Sequence, residues 1–170
     1  MKKKFELKVM YGESTKFLNE MLNIPFIQEF GGNYVACNIV SEKHNFFYSS
    51  TTTDVLRNAI SSIGGVKYSP IRKNLQRLKS TQILTYDDIT VESEADAIGM
   101  SIRRSLGFNS LSSYNIVKND YVFSLNITSS KNLNGRDLII KNYENFAEIF
   151  LKSHILLLDE LKTQGVSIND

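Results

Sequence analysis

Apolar residues along the chain follow two rhythms, and each change of rhythm marks an element. Phe17, Leu18, Met21 and Leu22 fall at helical spacing, so a helix is expected over residues 13–24, with Ser14 or Thr15 as N-cap and Pro25 either closing it or starting a second short turn. Gly31-Gly32 breaks the chain. Residues 33–41 carry Tyr34, Val35, Ile39 and Val40, residues 42–45 read as a turn, and Phe46-Phe47-Tyr48 follows as a second strand. The pair is a hairpin. After N-cap candidates at 51–54, Val55, Leu56, Ala59, Ile60 and Ile63 make an amphipathic helix stopped by Gly64-Gly65.

Residues 66–88 show no single period. They hold Tyr68, Pro70, a basic patch (Arg72, Lys73, Arg77, Lys79) and then Ile83-Leu84-Thr85-Tyr86. Ser93 or Glu92 opens a helix through Ala95, Ile98, Met100, Ile102 and Leu106 that ends at Gly107. Two further strands, 112–117 and 121–128, flank a turn at Lys118-Asn119-Asp120. In the second, Val122, Leu125 and Ile127 break strict alternation, which predicts a strand covered on both faces or one with a bulge.

The strongest periodicity lies over 136–164, where Ile139, Tyr143, Phe146, Phe150, Leu157 and Leu161 share one face of a long helix. A second stripe, Ile140, Ala147, Leu151 and Leu158, widens the apolar arc. Two readings stay open: the helix is embedded deeply in its own domain, or one of the two stripes meets another subunit in a symmetric homodimer.

Strand pairs joined by turns, with helices between the pairs, predict an α+β fold. It is an antiparallel β-sheet flanked by helices, an α/β/α sandwich of the PAS- or GAF-like sensor kind. No repeat or linker divides the 170 residues, so one domain is expected over 1–170, with a helical segment at 1–30 and a long C-terminal helix over 134–164.

Composition narrows the function by exclusion. The net charge of +2 gives no bias toward nucleic acid, and the single cysteine forms no internal disulfide. No apolar run approaches a membrane span and no secretory signal opens the chain, so a cytoplasmic location without membrane contact is expected. One cysteine and two histidines make a poor zinc set, and no metal or cofactor is expected. Phosphate-loop, dinucleotide, zinc-protease and nucleophile-elbow motifs are absent, so the expectation is a non-enzymatic protein.

His44 reads as a solvated turn residue, His154 as a satisfied core or interface histidine, and Cys37 as a small buried residue. Asp87, Asp88, Glu92, Glu94 and Asp96 read as a solvated loop and helix N-terminus. The basic patch reads as an exposed helix face. What remains is a set of tyrosines on or beside the strands and the irregular segment: Tyr34, Tyr48, Tyr68, Tyr86 and Tyr114. Apolar area with one polar handle suits a pocket for a mostly apolar small molecule, although half-buried strand tyrosines have the same look.

Leu106-Gly107-Phe108-Asn109-Ser110-Leu111, the hairpin from Tyr114 to Ser129 and Tyr143-Glu144-Asn145-Phe146 resemble the N-terminal sensor domains of LuxR-type transcription regulators. The resemblance implies a domain that holds an acyl-homoserine lactone between sheet and helices. The family's pocket signature, a tryptophan and tyrosines followed by an aspartate, has no tryptophan here; Tyr68, Tyr86 and Asp87 would supply comparable polar contacts. The helix-turn-helix that follows the sensor in that family has no counterpart before Asp170, so no direct nucleic-acid binding is expected from these residues.

The expected function is therefore a small-molecule-sensing regulatory domain that takes a small apolar signal molecule, with Tyr34, Tyr48, Tyr68, Tyr86 and Asp87 as ligand-binding residues. The long helix would relay binding to a homodimer partner or output domain. The rival is a protein–protein interaction module with a packed core. A weaker third reading is an enzyme using Asp87 or Asp88 with Tyr86.

Overall fold

A computed structural model describes residues 8–12 and 15–168. The expected helix start at Glu13 and the cap candidate Ser14 lie outside the described residues. The chain runs β1 (Lys8–Tyr11), α1 (Thr15–Met21), α2 (Pro25–Phe30), β2 (Gly32–Ser41), β3 (Phe46–Thr51), α3 (Val55–Ile63), a 3-10 turn (Val66–Tyr68), α4 (Pro70–Gln76), β4 (Gln82–Leu84), a second 3-10 turn (Tyr86–Asp88) and α5 (Glu94–Ser105). Then follow β5 (Ser110–Lys118), β6 (Tyr121–Ser129), α6 (Gly135–Lys141) and α7 (Tyr143–Thr163).

Among the described residues six strands form one sheet in the order β1-β3-β2-β6-β5-β4. The two hairpins, β2–β3 and β5–β6, meet through antiparallel β2 and β6. The expected all-antiparallel sheet is corrected at one edge: β1 pairs parallel with β3, so the sheet is mixed. Residues 1–30, expected as helical, contain this edge strand and two short helices; of the two readings of Pro25, the start of a second turn holds, since it opens α2. The helix expected over 134–164 is two helices, with Asn142 between them donating its side-chain amide to the Leu138 carbonyl at 2.9 Å.

Alternation along the strands builds two unlike faces. Val35, Cys37 and Ile39 of β2, Phe46 and Tyr48 of β3, and Leu125 and Ile127 of β6 join α1, α2, α6 and α7 in one large core, with Phe146, Phe150, Leu157 and Leu161 at its centre. The intervening residues point the other way and are small or polar: Asn38, Ser49, Ser113, Asn115, Ser124, Asn126 and Thr128, all buried. Their cover is α3, α4 and α5. This explains the broken alternation of β6: Val122 belongs to the second face, Leu125 and Ile127 to the first. The strand is covered on both sides, and β2 also carries a bulge between Gly32 and Tyr34.

Candidate functional site

The small and polar face does not fill with apolar side chains, so its cover packs as two separate clusters. One joins Val40, Leu111 and Val122 to Ile71, Leu75 and Met100. The other joins Tyr34 and Ala36 to Leu56, Ile60 and Phe108. Between them lies a cavity of about 90 Å³ whose walls come from β2, β3, β6, α3, α4 and α5. That is room for several water-sized groups. Tyr11 and Arg57 stand at its rim, the guanidinium 4.5 Å above the tyrosine ring.

The sheet floor is largely satisfied within itself. Ser49 donates to Asn38 Oδ1 at 2.6 Å and Ser124 to Asn126 Oδ1 at 2.9 Å. Thr128 donates to Asn33 Oδ1 at 2.9 Å. Tyr34 stacks on Phe108 with ring centroids 4.7 Å apart, and burial pushes its phenol up to about 12, opposed by the charge of Arg103. Arg103, in the last turn of α5, is buried and lines the cavity.

The five residues singled out from sequence are not gathered in one place. Tyr34 lines the cavity. Tyr48 lies on the opposite face, in the large core, and donates to Glu160 Oε2 of α7 at 2.9 Å. Tyr68 packs behind α3 and α5 against the cluster of Tyr34 and Phe108. Tyr86 and Asp87 border a second, open and polar basin with Asp88, Asn109 and Arg136, where Arg136 and Asp88 pair at 2.9 Å. The Tyr86 hydroxyl is buried without a hydrogen-bond partner, and burial raises its phenol. Tyr114 packs edge-on against Tyr143, Phe146 and Phe150, away from the cavity.

Sequence reasoning missed Arg72 and Arg103. The basic patch is not uniformly exposed: Arg72 lines the cavity, and Lys73 pairs with Asp96. Asp96 itself is buried rather than solvated. Burial alone would raise its carboxyl, but Lys73 and the Glu92 and Ser93 contacts hold it below the ordinary carboxylate range. The available signal was helical phase. Asp96, Gly99, Met100 and Arg103 occupy one face of α5, whereas Ile98 is exposed.

Cys37 and His154 meet in the large core, with Sγ 3.5 Å from Nε2. Burial pushes the thiol up to about 12 and the imidazole down to about 4. Both shifts favour neutral forms, the reverse of the thiolate–imidazolium pair that nucleophilic catalysis needs. His44 stacks on Tyr121 in the β2–β3 turn, with centroids 5.1 Å apart. Among the described residues no group of three or more His, Cys, Asp or Glu could hold a metal ion, and no helix is long and apolar enough to cross a membrane.

No protein-family model matches the chain, and no curated protein matches it. Solved structures do. The N-acylhomoserine lactone dependent LuxR family transcription factor CepR2 from Burkholderia cenocepacia superposes with a TM-score of 0.57 at 13% identity, over 84% of this chain and 87% of that one. Escherichia coli SdiA gives 0.58 at 8% identity, over 94% of this chain and 66% of its own. The VqsR LBD domain from Pseudomonas aeruginosa gives 0.50 at 16% identity, over 78% and 88%. At such identities the likeness is one of architecture: the chain has the α+β fold, a helix-flanked sheet, of LuxR-type autoinducer-binding domains.

Proposed function

We propose that this chain is a small-molecule-sensing regulatory domain without catalytic activity, and that its ligand enters the cavity between the polar sheet face and α3–α5. The observation that carries the reading is the contrast between the two faces. One is a continuous apolar core, while the other leaves a hollow lined by Tyr34, Ala36, Leu56, Ile71 and Leu75 together with buried polar groups. A hollow of this kind speaks against the packed interior that a pure interaction module would have. The cavity is small, so short acyl chains should fit better than long ones.

The fold shared with a lactone-dependent factor makes acyl-homoserine lactones the first class to test. Thermal unfolding of the full chain across an acyl-length series should show stabilisation that rises with ligand concentration, about 2.7 kcal/mol at one hundred times Kd. No stabilisation at saturating ligand across the series would remove that class.

Readout in this proposal runs through β2 to α7. Asn38 faces the cavity while its neighbours Cys37 and Ile39 pack under α7. A homodimer through the outer face of α7 belongs to the same reading, supported by exposed Leu151, Ile155 and Leu156. Cytoplasmic residence is supported by a lone buried thiol that suits a reducing compartment.

A further inference from the structure

Three arginines, Arg57, Arg72 and Arg103, line the cavity, and among the described residues no Asp or Glu does. Their environments differ. Arg57 sits at the rim and pairs with Asp54. Arg72 donates to Gln76 Oε1 at 2.5 Å and feels the charge of Asp96. Arg103 is the buried one, 7% exposed, and its Nε has no hydrogen-bond partner. The titratable groups that act on it are Tyr86 and Tyr34, neither of which is an anion at neutral pH, and no carboxylate pairs with it among the described residues.

A guanidinium stays charged in a protein interior, and a buried unpaired cation is costly. Its five donors form a planar fork that matches a carboxylate. Tyr86, which borders the second basin and acts electrostatically on Arg103, also has a buried hydroxyl without a hydrogen-bond partner. The apolar walls on the α3 and α4 side then suit a hydrocarbon tail.

We infer that the ligand is an amphipathic monoanion, whose carboxylate pairs with Arg103 and whose short acyl tail lies among Leu56, Ile60, Ile71 and Leu75. The inference rests on the sensing proposal and sharpens it: a neutral lactone leaves the buried charge uncompensated, whereas an acid neutralises it. One guanidinium at this depth suits one negative charge, which favours a carboxylate over a phosphate dianion.

The test compares N-hexanoyl-homoserine, the ring-opened acid, with N-hexanoyl-homoserine lactone by calorimetric titration of the full chain at pH 7, with octanoate as a third probe. The acid should bind at least tenfold more tightly than the lactone. Arg103→Met should abolish that preference while leaving the unliganded melting temperature unchanged or raised, because it removes an unpaired buried charge. Arg103→Lys, which keeps the charge, should retain part of the preference and covers the case in which the methionine variant fails to fold. A lactone that binds as tightly as the acid, or an Arg103→Met variant that binds the acid as well as the parent, overturns this inference and leaves the sensing proposal standing. If none of the three probes binds, this inference falls, and the sensing proposal is left to the acyl-length series.

Discussion

Cys37 and His154 meet in the large core, with Sγ 3.5 Å from Nε2. His154 Nδ1 lies 2.8 Å from the Phe150 carbonyl oxygen. Nε2 lies 3.3 Å from the Asn38 carbonyl oxygen, so a carbonyl faces each ring nitrogen. The ring also packs against Phe123 and Phe150. Protonation would place a cation in this apolar setting, which is why burial draws the histidine down to about 4.

Stability should consequently depend on acid in a defined window. Above pH 6.5 neither folded nor unfolded chain protonates this group. Between 6.5 and about 4 the unfolded chain takes up a proton that the folded chain refuses, so stability falls as pH falls. The loss is about 3 kcal/mol when complete. Denaturant unfolding at pH 7 and pH 4.5 should show it, and His154→Gln should flatten that part of the profile.

Gly99 sets the distance between α5 and the turn at Val66–Tyr68. A Cβ there would overlap the Tyr68 carbonyl oxygen, a backbone atom, and crowd Pro70. Gly99→Ala should cost about 2 kcal/mol or more, since the overlap is relieved only by moving α5 or the cover of the cavity. Thermal unfolding measures the loss.

The unlike faces of the sheet predict unlike responses to truncation. Leu157 is fully buried in the continuous core, and Leu157→Ala should cost about 3 kcal/mol. Leu56 borders the hollow and already lacks neighbours on one side, so Leu56→Ala should cost less than half as much. Paired denaturation curves compare them.

The outer stripe of α7 should matter to assembly and not to folding. Leu151 is 61% exposed, so Leu151→Glu should change monomer stability by no more than about 0.5 kcal/mol. In sedimentation at micromolar concentration the parent should run as a dimer and the variant as a monomer. A parent that is monomeric throughout removes the homodimer.

Much of this fold was legible because four strands carry β-branched and aromatic residues between turns, and because α3 and α5 end at Gly64 and Gly107. What escaped was set by tertiary pairing. β1 and β4 are four and three residues long, lie at the two sheet edges, and have no periodicity of their own. The break at Asn142 was invisible because Ile139 and Phe146 remain seven residues apart, in phase across it. For the site, tyrosine content pointed to Tyr34 but equally to Tyr48, whose side chain faces the other way. Arg103 escaped because an arginine in a last helical turn ordinarily answers the helix dipole at the surface.

The central claim is that ligand enters on the α3–α5 side and reaches the α7 side only through β2. Methyl NMR during titration with N-hexanoyl-homoserine tests this most directly. Shifts should be largest at Leu56, Ile60, Ile71, Leu75 and Leu111 and clearly smaller at Leu18, Ile139 and Leu161, which lie beneath the other face. Movement confined to the second group, or no movement in either at saturating ligand, would contradict the account.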